Sequence, residues 1–375
     1  MEGILYLENG ETYSGKGFGA AATNVGELVF NTAMSGYQEL LTDPGVKGQI
    51  INMAYPLIGN YGVSDIDNQS AGVHAAGLVA RDISFRPSNR CSLMSVSEWL
   101  KEHGVPGVYN VDTRAITKKL RSEGSQKCVI STEGIPKGHA RELLESVSLR
   151  GDYMKDAGVQ LRTIRPGSAA EGAPGRGLKI VILDFGVKRS IVSALTDLGP
   201  DIILCPYGTT AEETLAMNPD GLLLSSGPGN PADCEAGIET AAALMEKLPI
   251  FGIGLGHELL ALAAGGKTYK LKFGHCGANH GVLDKHTGRS AITTQGHGFA
   301  VDEGSLKGTG MTVSHVNLND GTVEGMSHEE LPVFSVQFHP EGTPGPRDSM
   351  ELFNRFVDMV LAVKAGTWKR GGGHA

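Results

Sequence analysis

Apolar residues follow two contrasting patterns along the chain, and the change falls near its middle. Up to about residue 145, short apolar runs alternate with Gly-rich turns and predict strands at Gly3–Leu7, Leu28–Asn31, Gln49–Met53 and Gly77–Val79. Val96–His103 and Ala115–Glu123 repeat their apolar positions with helical spacing instead. From Asp152 to Arg176 the residues turn small and polar, which predicts a linker. Lys179–Asp184 is apolar without alternation, as a parallel strand buried on both faces must be. Helical and strand patterns then alternate: Lys188–Leu198 helix, Asp201–Cys205 and Gly221–Ser225 strands, Cys234–Lys247 helix, Pro249–Ile253 strand. That rhythm implies a doubly wound sheet with its site at the carboxyl ends of the strands. Ser290–Thr294, Met311–Val316 and Val333–Gln337 read as strands in hairpins or at the sheet edge. The expected fold class is α/β: a mixed α+β domain over 1–150, a linker over 151–176, a doubly wound domain over 177–365 and a frayed tail over 366–375.

The segment Pro249–Glu258 has the shape of a nucleophile elbow without a nucleophile. An apolar run ends at Ile253, a Gly-rich turn follows, and a helical pattern opens at Glu258, as in turns that lift a catalytic side chain out of a sheet. The residue at the top is Gly254. Farther on, His339 and Glu341 stand two apart, so that both face one side of an extended segment. By pattern alone the pair reads equally as a base with its orienting carboxylate or as a structural hydrogen bond at a strand end.

Composition narrows the classes. With 375 residues, 40% hydrophobic and 20% charged, the chain is long enough for two cores. No apolar run reaches membrane-spanning length and the N-terminus has no signal-peptide pattern, so a cytoplasmic protein is expected. The five cysteines are scattered without a CxxC pair, which argues against a disulfide framework or a zinc site. His257, His275, His280 and His297 are numerous but match no metal-ligand spacing, and no metal is expected. The net charge of −8 carries no basic block that would suggest nucleic acid. Lys188-Arg189 reads as an ordinary helix-start surface.

The ordered motifs carry a resemblance over nearly the whole chain. In the first domain they are Phe30–Glu39, Leu41-Thr-Asp-Pro44, Tyr55–Asn60 and Asp112-Thr-Arg114; in the second, Asp184–Arg189, Ser226-Gly-Pro-Gly-Asn-Pro231, Lys272-Phe-Gly-His275, His297–Asp302 and Gln337-Phe-His-Pro-Glu341. The second domain resembles a class I glutamine amidotransferase, and the whole chain resembles the glutamine-hydrolysing small subunits of carbamoyl phosphate synthetases. The resemblance implies a Cys nucleophile, a His base and an orienting Glu acting on L-glutamine. It also implies ammonia transfer through a tunnel to a large synthetase subunit, in a heterodimer or larger complex serving pyrimidine and arginine biosynthesis. ATP, bicarbonate and Mg are expected on that partner; this chain has no GxxxxGK[ST] motif and no cofactor is expected in it.

Carried over residue by residue, His339 and Glu341 match the base and its orienter. Gly227 and Gly229 match the turn approaching the substrate, with the N–H groups of Gly227 and Leu255 as expected oxyanion donors. Gly298 and Phe299 match backbone contacts to glutamine. The departures cluster around the same ligand: Gly254 stands where the family has Cys, Glu258 where Gln is usual, Gly45 where a Ser follows Leu-Thr-Asp-Pro, and Gly296 where an Asn is usual. Glu258 is expected to exchange an amide donor for a carboxylate acceptor that repels the ligand's carboxylate. Cys276 lies off the elbow and is expected to be a small, partly buried thiol, and nothing places Cys234, at a helix start, over the oxyanion donors. The implied role is that of a small synthetase subunit whose glutaminase chemistry is lost. The alternative is a non-catalytic scaffold supporting a synthetase subunit that uses free ammonia.

Overall fold

The structure, a computed structural model, describes residues 1–147, 161–167 and 172–369. The chain divides into two compact units, Met1–Gly151 with Lys272–Gly277, and Asp152–Leu271 with Ala278–Ala375.

The first unit carries β1 (Glu2–Leu7), β2 (Thr12–Gly19), β3 (Thr23–Asn31), β4 (Gln49–Met53), β5 (Leu57–Ile58), β6 (Gly77–Val79), β7 (Asp82–Ile83), β8 (Pro106–Tyr109) and β9 (Gln126–Ser131). Seven of these close into a barrel in the order β1-β2-β8-β6-β4-β3-β9, while β5 and β7 form a separate pair. Closure leaves the barrel without an exposed edge. Alternate strand residues serve two apolar clusters: Val29 and Ile51 join one, and Leu28, Phe30 and Ile50 join the other. Helices α1 (Tyr37–Leu41), α2 (Val96–Glu102), α3 (Thr113–Glu123) and α4 (Lys137–Ser146) complete the unit. Ser95 and Glu98 form a capping box at the start of α2, and the Asp112 side chain accepts from the Ala115 N–H at the start of α3.

The second unit is built on a ten-stranded sheet ordered β10-β12-β11-β13-β14-β19-β18-β17-β15-β16. Its strands are β10 (Arg162–Ile164), β11 (Lys179–Asp184), β12 (Asp201–Pro206), β13 (Gly221–Leu224), β14 (Ile250–Ile253), β15 (Thr268–Asp284), β16 (Ser290–Val301), β17 (Met311–Asn317), β18 (Val323–His328) and β19 (Val333–Val336). Strands β12, β11, β13, β14 and β19 run parallel. Helices α5 (Arg189–Thr196), α6 (Ala211–Ala216), α7 (Glu235–Leu244), α8 (Leu255–Ala263) and α9 (Glu351–Lys364) cover it. Val181 and Leu183 of β11 pack in the cluster that contains α7 and α8 residues, whereas Ile180 and Ile182 pack with residues of α5 and α9. Burial on both faces explains why β11 shows no polar alternation. Strand order reverses at β11, which pairs with β12 on one side and β13 on the other. Among the described residues, no helix is long and apolar enough to cross a membrane.

Three details depart from the sequence pattern. Part of the expected linker lies outside the described residues, but Arg162–Ile164 pairs antiparallel with β12. Val333–Val336 forms a hairpin partner for β18 yet also pairs parallel with β14, so it lies inside the sheet. Of the expected tail, residues 366–369 are described: the N–H groups of Thr367 and Trp368 donate to the Ala362 carbonyl, and Trp368 packs on the core.

Candidate functional site

Four turns converge where the parallel strands end. Asp184 closes β11, and its carboxylate accepts the N–H groups of Gly186 at 2.9 Å and Val187 at 2.7 Å. Burial pushes its pKa up, partly countered by those two bonds. The Phe185 N–H donates to Ser225 Oγ at 3.0 Å, tying this turn to the one after β13 that contains Gly227 and Gly229.

After β14 the chain turns sharply at Gly254, with φ 59° and ψ −114°. Glycine alone adopts such a conformation without strain. The Gly254 N–H donates to the Val336 carbonyl at 2.9 Å, and its own carbonyl accepts from His257 at 3.0 Å and Glu258 at 3.3 Å. Gly256 serves close approach: a Cβ there would lie 2.2 Å from the Leu224 carbonyl oxygen. The α8 N-terminus is thereby drawn tightly against β13, and Leu255 enters the first helical turn, whose N–H groups have no intrahelical partner. A Cβ on Gly254 would meet Ser226 Cβ at 3.2 Å.

The turn after β19 holds His339 and Glu341. The His339 N–H donates to the Thr294 carbonyl at 2.9 Å, fixing this turn to β16. His339 Nδ1 lies 3.0 Å from Glu341 Oε1. The same oxygen accepts from Lys188 Nζ at 2.8 Å, and Lys188 also donates to the Thr343 carbonyl. Burial acts to raise the Glu341 pKa, but Lys188 and His339 outweigh it and hold the group at about 2. Glu341 is therefore an anion that both orients His339 and neutralises Lys188. The expected surface role of Lys188 is overturned: its side chain is 1% exposed. Its position just beyond β11, among the ends of parallel strands, was the available signal.

Residue 296 borders the opposite edge of the imidazole. A Cβ on Gly296 would lie 3.9 Å from His339 Nε2, with nothing nearer, and a Cβ on Gly298 would meet nothing within 4 Å. The Phe299 carbonyl is bonded to His297 Nδ1 at 2.7 Å.

Glu258 differs from expectation. It is 4% exposed, and burial lifts its pKa to about 8, with only the neighbouring Gln337 side chain acting to lower it. Burial thus favours the protonated form, which keeps a donor and sets no charge against a ligand carboxylate. His257, on the same helix, bonds through Nδ1 to Ser335 Oγ at 2.9 Å, and burial, aided by His315, lowers its pKa to about 3.

Gly45 belongs to the first unit, in a one-turn 3₁₀ helix over Pro44–Val46, where its N–H donates to Asp43 Oδ1 at 2.8 Å. Cys276, also grouped with the first unit, is driven up to about 12 by burial and by Glu27, which leaves it a protonated thiol. Cys234 lies in the apolar cluster with Phe185 and Leu259.

Comparison with known proteins places the chain in a family. Residues 181–359 match the family model "Glutamine amidotransferase class-I", and residues 5–130 match "Carbamoyl-phosphate synthase small chain, CPSase domain". A carbamoyl phosphate synthase small chain from Clostridium acetobutylicum is 48% identical over 96% of this chain and 100% of its own length. Those of Listeria monocytogenes and Fusobacterium nucleatum are 45% and 46% identical, over 97% and 95% of this chain and 98% and 97% of theirs. The chain thus belongs to the carbamoyl phosphate synthase small-chain family, with a class I glutamine amidotransferase domain as its second half.

Proposed function

We propose that this chain serves as the small subunit of a carbamoyl phosphate synthetase but does not itself hydrolyse glutamine. In the family role, a thiolate at the elbow attacks the side-chain amide of L-glutamine, a His moves the proton, and ammonia passes to a large subunit that consumes ATP and bicarbonate. The observation that carries the reading is Gly254 at the elbow beside an assembled Lys188, His339 and Glu341. His339 can accept a proton, but no side chain at the turn can supply the attacking atom. Loss of a triad nucleophile costs on the order of 10⁶ in turnover.

The substrate pocket in this reading includes Gly227, Gly229, Leu255, Glu258, Gly296, Gly298 and Phe299 of the second unit. The missing side chain at 296 would remove a hydrogen bond worth about 1 kcal/mol. This loss weakens glutamine binding, whereas the loss at 254 removes the chemistry. The retained role is structural support of an ammonia-using partner.

The test is to assemble the chain with a large synthetase subunit and to measure carbamoyl phosphate formation with ammonium or with glutamine as nitrogen donor. Synthesis from ammonium alone is expected. Synthesis from glutamine at a comparable rate would overturn the reading, as would failure of the subunits to assemble.

A further inference from the structure

Alternate residues of β16 join their side chains into a hydrogen-bonded ladder along one face of the strand. The Thr293 hydroxyl donates to the His280 carbonyl at 2.9 Å, and Gln295 Nε2 donates to Thr293 Oγ1 at 3.2 Å. Gln295 Oε1 lies 3.3 Å from His297 Nε2, and His297 Nδ1 lies 2.7 Å from the Phe299 carbonyl oxygen. Thr293, Gln295 and His297 are all buried.

Both ends of the ladder are backbone carbonyls, which only accept. At the first end the hydroxyl spends its single proton on the His280 carbonyl, so Thr293 Oγ1 meets Gln295 as an acceptor. That fixes the amide: its NH₂ faces Thr293 and its oxygen faces His297. Turned over, the amide would set its oxygen against a hydroxyl oxygen whose proton is already used. At the other end Nδ1 needs a proton to reach the Phe299 carbonyl. Thr293 and Gln295 each supply the proton for one bond of the ladder, and the imidazole has to supply one from each of its nitrogens.

The surrounding charge matches. Glu324 of β18 is fully buried, and its Oε1 lies 4.0 Å from His297 Nε2. The same oxygen accepts from Asn317 Nδ2 at 2.8 Å and from Thr322 Oγ1 at 3.5 Å. A carboxylate at such a place is costly without a cation. On the packed elements, burial lowers the pKa of His257 of α8 and His315 of β17, raises that of Glu258 of α8, and Lys188 is committed to Glu341. Strand β15 carries His275, His280 and Asp284, and His339 borders the intervening position, Gly296.

We infer that His297 is held as an imidazolium with Glu324 as its counter-ion, and that the pair positions the Gly298-Phe299 segment by gripping the Phe299 carbonyl. With both nitrogens protonated, neither lone pair is free to take a proton or a metal ion. Gly298 and Phe299 belong to the substrate pocket described above, so the bearing on glutamine rests on the proposed function; the charge state does not.

The test is NMR of the full chain carrying isotope-labelled histidine, without glutamine or a partner, so that its failure is separate from failure of the proposed function. The His297 signals are those that disappear in His297→Gln. At neutral pH both ring nitrogens should be protonated, and a neutral ring with a proton on Nδ1 alone would overturn the inference. Glu324→Gln should bring the loss of this proton to lower pH by roughly one unit or more, tenfold in proton affinity. Thr293→Val, which removes the acceptor that fixes the Gln295 amide, should move it in the same direction. An unmoved midpoint in Glu324→Gln would refute the counter-ion, and one in Thr293→Val would refute the proton count along the ladder.

Discussion

Introducing a thiol by Gly254→Cys should destabilise the second unit while giving it the attacking atom that the proposed function says it lacks. The turn has φ 59° and ψ −114°, a region that costs an L-residue about 1–3 kcal/mol. The new Cβ would also stand 3.2 Å from Ser226 Cβ, tighter than ordinary contact, whereas the next wall, the Gln337 carbonyl, is 3.9 Å away. The turn is therefore strained but not blocked, and Ser226 need move only slightly. For a unit of 150–250 residues each kcal/mol shifts Tm by roughly 2–4 °C, so a loss of several degrees is expected. Thermal melts of the parent, Gly254→Cys and Gly254→Ala check the magnitude: both variants carry the same Cβ and should fall together. Ammonia release from glutamine, measured in the complex, should appear only in the Cys variant. An unchanged or higher Tm in both variants would refute the strain argument. Ammonia release by the Ala variant would refute the assignment of the attacking atom to this turn.

Glu258→Gln should stabilise the chain increasingly as pH rises from 4.5 to about 8, by at most about 5 kcal/mol. The sign follows from a folded pKa raised above the unfolded value: the acid's contribution is complete below 4.5 and is lost on the alkaline side, and urea titrations at several pH values check it. Glu341 acts oppositely, since its folded value of about 2 gives stability that is present above 4.5 and lost as pH falls toward 2. Lys188→Met should cost about 3–5 kcal/mol at neutral pH by leaving Glu341 without its buried cation, with the deficit narrowing in acid as Glu341 is protonated; denaturant melts would show it. Gly296→Asn should change stability by no more than about 0.5 kcal/mol, because the nearest atom to its Cβ is 3.9 Å away, and in a Gly254→Cys background it should lower KM for glutamine.

Much of this site was legible because its backbone demands leave marks in the sequence. The unbroken apolar run of β11 reports burial on both faces, and the glycines around 254 report a strand and helix too close for side chains. The spacing of His339 and Glu341 places both on one side of their turn, where they meet at 3.0 Å. Lys188 was not legible as a buried ion, because its partner lies 153 positions away and a Lys at a helix start is ordinarily solvated. The state of Glu258 was hidden for a similar reason: its charge is set by burial that only the assembled sheet creates. Closure of the first unit into a barrel also escaped the pattern, since β2, Thr12–Gly19, is polar and Gly-rich and carries no alternation. Val333–Val336 signalled a strand, but its place between β14 and β18 depends on pairings remote in sequence.

The central claim is that the elbow of this chain forms no covalent bond with its ligand. Intact-mass measurement after acid quenching, with the purified complex held in saturating glutamine and its other substrates, tests it most directly. The account predicts an unmodified small chain under all conditions and a γ-glutamyl adduct in Gly254→Cys. A glutamyl adduct on the unmodified chain would contradict it.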